Sequence, residues 1–118
     1  MDYETYLTMA TLFLDTYKSY IDEIENAKSA IVFSCEYSYR VEWQRTGHSR
    51  IKTFGFDFIN DYLIKLPSRE ETPNVLFCTP EKVALFLRSI AKNVEQTLTM
   101  KRYDMYREVM KEGKLWNY

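Results

Sequence analysis

Arg40, Arg45, His48, Arg50 and Lys52 crowd into a short stretch around one glycine, Gly47. A histidine set among arginines is the grouping in which an imidazole can move a proton beside a bound phosphate, as small ribonucleases require. His48 is the only histidine of the chain, so such chemistry would rest on it alone. The same cations also read as a solvated turn whose charges keep an exposed hairpin from pairing with other chains. A third reading makes them a site for phosphate or for an acidic partner. The expectation is that the chain is not an enzyme, a ribonuclease using His48 being the alternative set against it.

Other chemistry finds few residues to carry it. The glycines are Gly47, Gly55 and Gly113, so there is no glycine-rich phosphate loop. One histidine and two separated cysteines, Cys35 and Cys78, do not make a zinc ligand set. No serine lies in a nucleophile elbow. No metal and no cofactor is therefore expected. Both cysteines sit in apolar stretches and are expected to pack as small buried hydrophobes, without a disulfide between them.

The elements that must position the basic cluster follow from periodicity. From Asp2 to about Ala27, Tyr3, Tyr6, Leu7, Ala10, Phe13, Leu14, Tyr17, Tyr20, Ile21 and Ile24 recur at helical spacing, which predicts an amphipathic helix. Its polar face carries Asp2, Glu4, Asp15, Asp22, Glu23 and Glu25 and reads as a solvated face, or as one that mimics a nucleic-acid backbone or docks on a basic partner. Residues 31–43 alternate without a slip, Ile31, Phe33, Cys35, Tyr37, Tyr39, Val41 and Trp43 on one side. At about 3.4 Å per residue such a strand would reach roughly 44 Å, so it must bend, overhang or project as an arm. Facing arguments pair it with residues 51–55 across an odd-length loop centred on Gly47, setting Trp43 against Ile51, Glu42 against Lys52, Val41 against Thr53 and Tyr39 against Gly55.

After Gly55 the spacing of Phe56, Ile59, Tyr62, Leu63 and Leu66 suits a short helix that stops before Pro67. Residues 67–74 have turn composition, and Val75 to Cys78 read as a short buried strand. Thr79-Pro80 starts a helix, whose stripe of Val83, Phe86, Leu87, Ile90, Val94, Leu98, Met105 and Val109 runs to Gly113. At 1.5 Å per residue it would span about 50 Å, and the β-branched Thr97 and Thr99 mark where it would bend or break. The apolar tail Leu115, Trp116 and Tyr118 needs cover from the chain's own core or from a second copy. The fold class is thus α+β, a single domain over residues 1–118, in the order helix-strand-strand-helix-strand-helix. An antiparallel hairpin sheet packs against the N-terminal helix and the long last helix.

Sixteen Lys plus Arg against seventeen Asp plus Glu leave a net charge of −1, which argues against binding nucleic acid by charge alone. The charge is polarised, from −5 over residues 1–27 to +4 over residues 82–118. No stretch is apolar enough for membrane insertion and no opening segment has the pattern of an export signal, so an intracellular, cytoplasmic protein is expected. Ten tyrosines are many for 118 residues, and tyrosine is favoured on surfaces that bind proteins. The expectation is a small non-enzymatic protein-binding module, an inhibitor, adaptor or regulator of phage or mobile-element kind, acting through this aromatic surface and the hairpin, and a homodimer. Its contact residues are expected among Arg40, Arg45, His48, Arg50, Lys52, Lys101, Arg102, Tyr103, Tyr106, Trp116 and Tyr118. The alternative is a nucleic-acid binder that uses the basic hairpin tip and the last helix.

Overall fold

The computed structural model describes residues 3–34, 38–57 and 74–112. Helix α1 spans Tyr3–Glu25; strands β1 (Ser29–Ser34), β2 (Ser38–Gln44), β3 (Ile51–Asp57) and β4 (Asn74–Phe77) follow, and helix α2 (Pro80–Glu112) comes last. The strands form one antiparallel sheet in the order β3-β2-β1-β4. The architecture is α+β, with a helix, then strands, then a long helix, as the periodicity indicates. The short helix expected over residues 56–66 lies, apart from its first two residues, outside the described residues; those two, Phe56 and Asp57, belong to β3. The turn 67–73, Cys35 and the tail residues Leu115, Trp116 and Tyr118 also lie outside them.

The alternating run 31–43 is two strands, folded back on each other, so it neither overhangs nor projects. β1 pairs with β2 through Ala30↔Trp43, Val32↔Val41 and Ser34↔Tyr39. Such a register sets even residues of one strand against odd residues of the other, and directly paired residues share a face. The buried face therefore changes parity between the strands: Ala30 and Val32 are buried in β1, and Tyr39, Val41 and Trp43 in β2. Ile31 and Phe33, which unbroken alternation would turn inward, face the other way.

The β2–β3 register also differs from the expected one by a single residue. Trp43 lies against Lys52, Val41 against Phe54, Tyr39 against Phe56 and Arg40 against Gly55, and Ile51 is 60% exposed. Phe54 and Phe56 supply the reason. With Phe56 in the strand, this register puts both rings on the core face beside Trp43 and Tyr39, at centroid distances of 5.7 and 5.1 Å; the expected register would have buried Ile51, Thr53 and Gly55 in their place. Ring pairs at these separations add to the apolar area they bury.

One face of the sheet takes both helices. Tyr6, Ala10, Phe13, Leu14, Ile21 and Ile24 of α1 and Val83, Leu87, Ile90, Val94 and Leu98 of α2 complete the core. The helices run antiparallel, since Arg88 meets Glu25 at one end and Lys101 lies over the Tyr6 ring at the other. Arg88 binds both oxygens of Glu25, at 2.7 and 2.8 Å. Thr79 caps α2, its Oγ1 accepting the Lys82 N–H. The helix is unbroken through Thr97 and Thr99; the Thr99 hydroxyl donates to the Glu95 carbonyl one turn back. β4 is an exposed edge and Cys78, just past it, is exposed, against the expected buried strand and thiol. Only Phe77 reaches inward, onto Phe86. Among the described residues no helix is long and apolar enough to cross a membrane.

The parity change has a direct test. Val32→Ala removes a fully buried side chain and is expected to cost about 2 kcal/mol in denaturant unfolding, whereas Ile31→Thr, on the opposite face, is expected to stay within about 1 kcal/mol. Equal losses would contradict this facing.

Candidate functional site

The basic cluster is divided by the fold. Glu23, near the end of α1, reaches the base of the β2–β3 turn and collects three groups there. Its Oε2 accepts the Trp43 indole N–H at 2.6 Å. Lys52 Nζ lies 3.1 Å from the same oxygen and 3.3 Å from Oε1, and Arg45 Nε stands 3.7 Å from Oε1. Lys52 also sits over the Tyr20 ring, 5.4 Å from its centroid. The indole N–H is the main reason that Glu23 titrates below the ordinary carboxylate value of 4.5; Lys52 and Arg45 add to it, and partial burial opposes it.

Arg40 is drawn away to the face of the sheet opposite the helices. Its Nε is 3.0 Å from Glu42 Oε2 and its guanidinium stacks 4.6 Å over Phe33. His48 and Arg50 remain exposed on the turn itself. The turn is closed by the His48 N–H donating to the Arg45 carbonyl and by the Gln44 amide donating to the His48 carbonyl, with Gly47 at φ +80°, where a side chain would be strained. The structure thus turns Arg45 and Lys52 onto a carboxylate of the chain itself, leaving His48 and Arg50 as the outward part of the tip. No group of three or more His, Cys, Asp or Glu side chains able to hold a metal occurs among the described residues.

The second set of expected contact residues lies on α2. Among the described side chains of that helix the last buried one is Leu98, and the helix continues for fourteen residues to Glu112. At 1.5 Å per residue, about 21 Å of helix follows the end of the core stripe. Met100, Tyr103 and Met105 are exposed there by 65, 60 and 52%. Arg102 and Arg107 are exposed beside them, the guanidinium of Arg107 5.8 Å from the Tyr103 ring centroid. Met105, expected on the core stripe, is instead among these exposed side chains. Tyr106 belongs to the helix, its side chain outside the described residues, as are Trp116 and Tyr118.

Two features escape the sequence reading. Glu23 is the hub of the turn, although composition alone places it with the solvated acids of α1. Its helical phase is the available signal, because it falls three residues after Tyr20 and one before Ile24, at the border of the apolar stripe. Met100 carries no signal except its position off the stripe.

Replacing Glu23 by Gln keeps an acceptor for the indole and removes the charge. A depressed carboxylate pKa contributes stability above the unfolded value and loses it as pH falls through the folded one. Wild type is therefore expected to exceed Glu23→Gln by about 1–2 kcal/mol near neutrality, with the gap closing below about pH 4; unfolding curves across this range check it, and a pH-independent gap would contradict it. Comparison of the chain with models of known protein families, with curated proteins and with solved structures finds no match, so the reading of these surfaces rests on their own geometry.

Proposed function

We propose that the chain is a non-enzymatic protein-binding module whose contact surface is the part of α2 beyond Leu98. The observation that carries this reading is the exposure of Met100, Tyr103 and Met105 on a continuous helix, past the last of its described buried side chains, with Lys101, Arg102 and Arg107 among them. Met, Tyr and Arg are the residues enriched where proteins meet, and clustered exposed apolar side chains mark interaction sites. A helix that presents such residues suits a groove on a partner. The module acts as an inhibitor, adaptor or regulator, since its contribution is occupancy of that partner.

The nucleic-acid alternative draws less from this geometry. Two of the tip cations are paired with Glu23 and a third with Glu42, which reduces the positive potential a phosphate backbone would meet. The ribonuclease alternative needs a second group oriented on His48, whose turn is closed by backbone and Gln44 bonds alone.

The test is a photo-crosslinking residue at Met100 of the full chain in cell extract, with and without nuclease. A protein adduct that survives nuclease and weakens at least tenfold in Tyr103→Ala is expected, in line with the effect of losing an interface tyrosine. Adducts to nucleic acid alone, or binding to DNA or RNA that falls steeply with salt and disappears in Arg45→Ala/Arg50→Ala, would replace this reading with the alternative.

A further inference from the structure

A different surface, on the opposite side of the sheet from β4, carries its own inference. Among the described residues β3 is an edge of the sheet, paired through β2. The Gln44 carbonyl accepts the Lys28 N–H on the β1 side. Backbone groups of successive strand residues point to opposite neighbours, so Tyr39, Val41 and Trp43 direct theirs to β3, and Ile51, Thr53 and Gly55 direct theirs outward. Edges are commonly blunted by charge, proline, a bulge or shortness. β4 is four residues long with a register shift opposite Val32 and Phe33. β3 has seven residues in unbroken register, and Lys52 is turned inward onto Glu23.

Helix α1 runs antiparallel to this strand, Glu23 beside Lys52, Tyr20 beside Phe54 and Phe13 beside Phe56. On the flank of α1 next to the edge, Thr5, Thr8, Met9, Leu12, Thr16 and Ser19 make a stripe without a charge. It is about 21 Å long, beside a strand of about 24 Å. The adjoining surface of α1 carries the acids Glu4, Asp15 and Asp22, with Lys18 beside them, and Glu25, which is taken up by Arg88. Leu12 is 67% exposed, and between Met9, Leu12 and Thr16 on the helix and Phe54 to Phe56 on the strand lies an open groove of about 270 Å³.

We propose that this flank is the interface between two copies of the chain, joined by antiparallel pairing of β3 with β3. In a two-fold interface each patch meets itself. Glu4, Asp15 and Asp22 would meet their own like charges in a second copy, and the uncharged stripe beside β3, an edge among the described residues, would not; of the two exposed flanks of α1 this is the one that favours a second copy. Pairing about Phe54 keeps both helix layers on one side, sets Thr53 against Gly55 of the partner subunit and continues the sheet to eight strands. The Leu12 side chains then close over the groove from both copies.

Sedimentation equilibrium of the full chain at roughly 100 µM, a concentration that fills even a weak dimer, is expected to give twice the 14.2 kDa chain mass. Leu12→Lys places a charge on the stripe at an exposed site, and Thr53→Pro removes an outward N–H. Each is expected to weaken the dimer at least tenfold with an unchanged circular dichroism spectrum, while Tyr103→Ala leaves it intact. Wild type at the single-chain mass would overturn the proposal. So would a dimer that persists in Leu12→Lys, or one lost in Tyr103→Ala alone. Because Leu12 and Tyr103 are separate surfaces, loss of this interface and loss of the α2 contact read out independently.

Discussion

Trp43 has to be buried, and its indole N–H has to be bonded where it is buried. This double requirement organises the molecule. The ring fills the core side of β2, flanked by Tyr20 and Phe54, and its N–H needs an acceptor once the ring is buried. Glu23 is that acceptor, which fixes both the rotation of α1 and its height above the sheet. A carboxylate held there attracts Lys52 and Arg45, so the β2–β3 turn is tied to the helix. The cost of taking one acid from solvent is offset by three donors converging on it.

The fold class was legible because helical and strand periods are written plainly in the stripes of α1 and α2 and in the alternation of residues 31–43. What escaped was register. Alternation says that a stretch is extended, and it does not say where the chain turns back. In this chain the parity of the buried face changes between β1 and β2 without interrupting the pattern, so Ile31 and Val32 trade places invisibly. The neighbouring register failed for a related reason: Phe56 was assigned to a helix, which removed one of the two rings that decide the pairing. Local pattern reports pleat, while long-range packing selects alignment.

The basic cluster was legible as a composition and not as a site. Five cations near Gly47 look like a single patch, yet they point to three places: Arg45 and Lys52 to Glu23, Arg40 to the sheet face opposite the helices, and His48 and Arg50 to solvent. The division depends on an acid some twenty residues upstream, a separation at which sequence offers only helical phase. The aromatic end of α2 was easier to recognise, because its cue is composition on a helix whose period is plain in the sequence.

The continuity of α2 has a consequence for how a small protein can present a binding helix. An isolated segment of fourteen residues would be marginally helical in water, since nucleating the first turn is unfavourable. In this chain the nucleus is already formed by the packed turns up to Leu98, and the remaining residues need only propagate from it. The globular half thus acts as a template that lends order to a stretch whose described side chains are exposed or half-buried. Part of the conformational entropy that a free peptide would lose on docking is already spent in folding.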